Sequence, residues 1–153
     1  MIDDLYSAKI LGLVANMPRA GRLAEPDGSA ERTAKLCGSR IVVDVTVEED
    51  RVADFAQDVH ACALGQAAAA VLGAHAVGAT LSEIEAARDA LRAMLKSDGP
   101  DPQGRFSDLS VLRPVKDYPA RHASSMLAFE AAADAVRKAM DTAIERTSRA
   151  GAA

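Results

Sequence analysis

The sequence predicts an α+β fold, a three-stranded antiparallel sheet with helices packed on one face. Three observations predict it. In "RIVVDVTVEED", Ile41, Val43, Val45 and Val47 alternate with Val42, Asp44, Thr46 and Glu48, the two-residue period of a half-buried strand. From Ala63 onward the apolar residues recur at helical spacing instead. Aromatic residues make up only 3% of the 153 residues and alanine is abundant, which favours closely packed helices over an aromatic-rich sandwich.

In chain order, Ile2, Leu5, Tyr6, Ile10, Leu13 and Val14 form one stripe of an opening helix, with Asp3 and Asp4 at the end where negative charge is favoured. "NMPRAG" ends that helix, because Pro18 cannot continue it and Gly21 permits a turn. "SAERTAKL" is a weaker first strand with Ala34 and Leu36 inward. "RIVVDVTVE" is the second, "EED" turns the chain, and "RVADFAQDV" returns as the hairpin partner. "ALGQAAAAVLGAHAVG" is a small-residue helix able to approach the sheet closely, with Gly78 as its stop. "LSEIEAARDALRAMLK" opens with Ser82 and Glu85 in capping-box spacing and buries Ile84, Leu91 and Leu95. "SDGPDPQG" is a loop. Asp117 and Pro119 then open a last helix with the stripe Met126, Phe129, Ala133, Val136, Met140 and Ile144. No repeat or linker divides the chain, so residues 1–147 read as one domain and 148–153 as a frayed tail.

Hydrophobic residues at 49% and charged residues at 26% are the balance of a globular protein. A net charge of −4 argues against nucleic acid and anionic membranes as partners. The acidic start lacks a basic n-region, and "ACALGQAAAAVLGAHAVGA" is too alanine-rich to span a bilayer, so a cytoplasmic location is expected. There reduced thiols are the default, which argues against a disulfide between Cys37 and Cys62, the only two cysteines.

Each cysteine ends a predicted strand, and Cys62 leads directly into a helix, whose N-terminus favours a thiolate. In a meander the first and third strands can end at one edge, so the two thiols can make half of a soft-metal site. The other reading is that both are small buried hydrophobes.

Four stretches together resemble a known family. Tyr6 followed by "NMPRAG", "LCGSR", "HACALGQAAAAVLG" and "YPARHASSMLAF" are similar, in order and spacing, to segments of the NifU/IscU-type iron–sulfur cluster assembly scaffolds, and more closely of their SufU-like branch. The resemblance runs from about Tyr6 to about Ala135 and implies the NifU/IscU N-terminal fold. It also implies a site of three cysteines, helped by an aspartate two residues after the first. That site holds iron or a labile [2Fe–2S] cluster, or zinc in the SufU-like branch. The implied partners are a PLP-dependent cysteine desulfurase and cluster-accepting proteins. Cys37 and Cys62 match two of the cysteines. Ser39 stands at the aspartate position and Ser124 at that of the third cysteine.

Those replacements matter chemically. A serine hydroxyl stays protonated near neutral pH and binds soft metals poorly, so Ser39 and Ser124 are weaker candidate ligands. His60, two before Cys62, shares its face if that stretch is a strand. His122, two before Ser124, is turned roughly 200° from it on a regular helix and falls on the stripe of Met126 and Phe129. It reads equally as a core or capping histidine, and His75 reads as structural. Three functions stay open. The chain can be a scaffold or carrier, with a homodimer supplying the four thiolates a [2Fe–2S] cluster takes. It can be a sulfur relay that accepts persulfide, with or without zinc. It can be a metal-free adapter that keeps the fold and has lost the site. Scaffold or carrier, rather than true enzyme, is the expected role.

Overall fold

The computed structural model describes residues 7–36 and 38–152, the last six by backbone alone. Its elements run α1 (Ala8–Ala15), β1 (Gly28–Ala34), β2 (Ser39–Glu48), β3 (Arg51–His60), α2 (Ala63–His75), α3 (Leu81–Ser97), a 3-10 segment (Gly104–Asp117), a 3-10 turn (Pro119–Arg121) and α4 (His122–Ala152). The three strands form one antiparallel sheet in the order β1-β2-β3. The expected α+β meander is therefore the fold.

The alternation in β2 places Ile41, Val43 and Val45 in the main core with Ala30 and Ala34 of β1 and Phe55 of β3. Helices α2 and α4 cover this face. The approach is close. A Cβ on Gly28 would fall 2.2 Å from the Ala135 carbonyl oxygen of α4, so only glycine fits there. Alanines 67 to 69 of α2 and Ala128, Ala131 and Ala132 of α4 are fully buried, which is why the chain needs so few aromatics to fill its interior.

The opposite face is not left to water. Residues 19–21 bind the outer edge of β3, with Gly21 N–H donating to the Gln57 carbonyl at 2.8 Å and Gln57 N–H to the Arg19 carbonyl at 3.0 Å. The chain then crosses the back of the sheet to reach β1. Asp44 (0% exposed) lies under that crossing and Val42 on the same face is 7% exposed, so β2 is buried on both faces rather than on one. The Asp44 carboxylate takes the Arg22 guanidinium at 2.6 and 3.1 Å, Leu23 N–H at 3.0 Å and the Ser29 hydroxyl. Burial pushes the Asp44 carboxyl up. Arg22, Ser29 and the Leu23 N–H outweigh it and hold the group below the usual carboxylate range.

Several boundaries differ from expectation for identifiable reasons. Of the opening stripe, Ile2, Leu5 and Tyr6 lie outside the described residues. The described helix α1 starts from Ser7, whose hydroxyl caps Ile10 N–H. Helix α2 ends at His75 rather than Gly78, and Gly78 (φ 91°) makes the following turn. Two overlapping capping boxes are written in "ATLSEIE", Thr80 with Glu83 and Ser82 with Glu85. The first forms, with both reciprocal bonds at 3.1 Å, because Val52 N–H ties the Ala79 carbonyl to β3 and brings the chain into the helix at Thr80. Glu85 is left free to pair with Arg137 at 2.5 Å.

The segment Gly104–Asp117 was not anticipated. Its apolar residues Phe106, Leu109, Leu112 and Val115 repeat every third position and are all buried, the one-sided pattern a three-residue turn produces. Helix α4 begins at His122, after the Pro119–Arg121 turn, not at Asp117. Its stripe is buried through Val136, partly at Met140, and ends before Ile144, which is 67% exposed. The backbone helix continues past the expected domain limit at 147 to Ala152.

Candidate functional site

Pairing registers fix one end of the sheet. Ala34 lies opposite Ser39, closing the β1–β2 hairpin, and Arg40 lies opposite His60, the last residue of β3. The β1–β2 turn and the β3–α2 junction therefore leave the sheet from the same end. Cys37 belongs to that turn in sequence and is outside the described residues. Ser39 is 2% exposed at the first position of β2.

Cys62 is half-buried and is the N-cap of α2, in extended conformation (φ −66°, ψ 170°), with no side-chain cap on that helix. The free N–H groups of the first turn make this end of α2 favourable to negative charge. Across from it starts α4. The Ser124 hydroxyl, 1% exposed, stands 3.4 Å from the Cys62 sulfur. Gly65 makes this meeting possible. A Cβ there would sit 3.0 Å from the Ser124 carbonyl oxygen and 2.9 Å from the Ala61 Cβ. Gly65, Arg121 and Ser125 were not singled out from sequence. The glycine one turn after the cysteine, in a run of alanines, was the available signal.

The histidines divide. His122 is 5% exposed and its Nε2 bonds the Val115 carbonyl at 2.9 Å, which ties α4 to the end of the 3-10 segment. That nitrogen is committed to structure. His60 is 59% exposed and lies 3.0 Å from Asp58, on the surface at the end of β3. His75 faces Asp108 at 3.4 Å and meets Phe106 edge-on, away from the cysteine end. Among the described residues, no three of His, Cys, Asp or Glu gather where one metal ion could be held. A zinc ion takes four thiolate, imidazole or carboxylate donors, of which the described residues bring one to this end of the sheet, the Cys62 thiol.

The "NMPRAG" turn is fastened by a residue that carries no chemistry. Gln57, fully buried, donates from its amide to the Ala69 carbonyl at 2.8 Å and the Pro18 carbonyl at 3.2 Å. Gly73 leaves the space, since a Cβ there would lie 2.8 Å from the Pro18 carbonyl oxygen.

A meander backed by small-residue helices, with a thiol and a hydroxyl meeting where two helices start at one end of the sheet, defines an α+β domain with a thiol site. The NifU-like N-terminal domain model matches residues 5–141, and the chain belongs to that family. The crystal structure of a nitrogen-fixing NifU-like protein (N-terminal) from Brucella abortus superposes with a TM-score of 0.89 at 49% identity, over 92% of this chain and 97% of that one. The iron–sulfur cluster assembly scaffold protein IscU of Thermotoga maritima is 25% identical over 134 residues, 88% of this chain and 94% of the relative. A putative iron–sulfur cluster assembly scaffold protein for the SUF system from Fervidobacterium islandicum AW-1 shares the fold, with a TM-score of 0.79 at 19% identity over 88% and 98% of the two chains. No helix among the described residues is long and apolar enough to cross a membrane.

Proposed function

We propose that this protein carries iron or a nascent [2Fe–2S] cluster as cargo in iron–sulfur cluster assembly, with Cys37 and Cys62 as its thiolate donors. A cysteine desulfurase supplies the sulfur and cluster-accepting proteins take the product. The observation that carries this reading is the Cys62 sulfur, half-buried at the uncapped start of α2 and against Ser124. A thiol so placed is reachable from solvent yet held by two helices. Ser39 and Ser124 bring no negative charge, so one chain offers two thiolates. A [2Fe–2S] cluster takes four, which a second chain of the same kind completes.

The test is anaerobic addition of ferrous iron and sulfide to the metal-free protein. The expected result is a visible-absorbing species that is lost in Cys37→Ala and in Cys62→Ala. A colourless wild-type protein would sink the carrier reading.

The same thiol supports a second reading, a sulfur relay, because a half-buried free cysteine at a helix start is also placed to exchange with a persulfide. In that reaction the Cys62 thiolate attacks the terminal sulfur of the desulfurase persulfide. The new S–S bond forms on Cys62, the old one breaks, and the desulfurase cysteine leaves as thiolate, ready to take the proton Cys62 gave up. Incubation with desulfurase and cysteine would then leave the protein one sulfur atom heavier by intact mass. Stable desulfurase binding without colour or added sulfur would mark a metal-free adapter.

A further inference from the structure

Among the described residues the Ser124 hydroxyl has two hydrogen-bond partners, and it has one hydrogen. It donates to the Arg121 carbonyl at 3.2 Å, so toward the Cys62 sulfur, 3.4 Å away, it is an acceptor and the thiol S–H is the donor. A sulfur that carries cargo has no hydrogen left to give. The contact then persists only if the Ser124 hydroxyl rotates and donates to the sulfur, abandoning Arg121. That rotation orphans nothing, because Ser125 also donates to the Arg121 carbonyl, at 2.9 Å. The helix start therefore holds a spare donor for Arg121, and Ser124 is free to answer the state of Cys62. Ser124 is 1% exposed, so its side chain is packed in beside Cys62 rather than turned to solvent.

We propose that Ser124 is a positioning residue for the Cys62 sulfur. Its hydroxyl accepts from the thiol when the site is empty, and turns from the Arg121 carbonyl to donate to the sulfur when Cys62 is loaded, without becoming a ligand itself. This rests on the carrier reading for the identity of the cargo, whereas the empty-state half stands without it. A donor on a cargo-bound sulfur stabilises the extra negative charge of the reduced state and so raises the reduction potential.

Two measurements test the proposal. In the loaded protein, Ser124→Ala should lower the reduction potential and shift the sulfur-to-iron absorption bands, and Ser124→Thr, which keeps the hydroxyl, should restore both. In the metal-free Cys37→Ala protein, Cys62 is the sole thiol, and its S–H stretching band in the Raman spectrum should move toward the unbonded frequency on Ser124→Ala. Disappearance of bound iron in Ser124→Ala would make Ser124 a ligand and overturn the proposal, as would wild-type potential and S–H band in that variant. If the wild type takes up no iron, the carrier reading fails, and the S–H band by itself decides whether Ser124 holds Cys62. A melting curve on each variant separates these effects from simple unfolding.

Discussion

Two polar knots lie on either side of this protein and are built in opposite ways. At the back of the sheet, Asp44 is closed from water and every side of its carboxylate is occupied by Arg22, Leu23 or Ser29. At the end of the sheet, Cys62 is half exposed, its helix has no side-chain cap, and its one described polar neighbour can either donate or accept. A saturated group has no capacity for a new partner, and its energy goes into fixing the chain. An unsaturated group contributes little to folding and keeps its capacity for a ligand. The first knot holds the 22–27 crossing against β2. The second is where the proposed cargo would be received.

The contrast breaks most visibly at Asp44. Asp44→Ala leaves the Leu23 N–H and the Ser29 hydroxyl without their acceptor, at about 1–3 kcal/mol for each orphaned group, while the half-exposed Arg22 returns to water. Urea denaturation should show a large loss of stability. A wild-type midpoint would mean the crossing is not held by this group. The same carboxyl gives an acid signature. Its folded value lies below the unfolded one of about 3.9, so its contribution is complete above that pH and is lost as the pH falls through the folded value. Asp44→Asn should therefore flatten the acid limb of the stability curve below about pH 4, as followed by circular dichroism.

A smaller effect is expected at the joint behind the second knot. Gly65→Ala forces the start of α4 or Ala61 away from α2 by a few tenths of an ångström. Overpacking of this kind costs about 1–3 kcal/mol. It should also weaken iron uptake, because the displaced strand of backbone carries Ser124. Iron titration and thermal melting of the same sample separate the two. Unimpaired uptake with lowered stability would show that the spacing between α2 and α4 does not govern the site.

Smallest in stability is Cys62→Ala, at about 1 kcal/mol or less, since a half-buried thiol with one weak hydrogen bond leaves little behind. Iron binding should nonetheless vanish. A stability loss as large as that of Asp44→Ala would make Cys62 a packing residue.

Much of this was legible along the chain. The two-residue period of β2, the alanine-rich α2 and the stripe of α4 through Val136 follow from patterns within single segments, where the side-chain direction is set by local backbone geometry. The three-residue repeat Phe106, Leu109, Leu112, Val115 was equally present, but 3-10 turns following one another over 14 residues, broken by a kink at Phe106, are rare enough that the pattern did not suggest them. The site was half legible. Residue type marked Cys62 and the family resemblance marked Ser124 as candidates, while Gly65 and Ser125 carry no chemical mark of their own and matter only through what they touch.

By itself, then, the sequence determined the number and order of the strands, the main helices, the scarcity of thiolates and the family, because each is written in residue type, period and motif order. It did not determine the end of the first strand, which stops at Ala34 and leaves Leu36, expected inward, 84% exposed. Only the tertiary structure decided which of two overlapping capping boxes forms, that Asp44 is buried under a crossing segment, that His122 is bound to Val115, and that Ser124 rather than a histidine meets Cys62. Those outcomes depend on distances between segments far apart along the chain, and no local pattern encodes a distance.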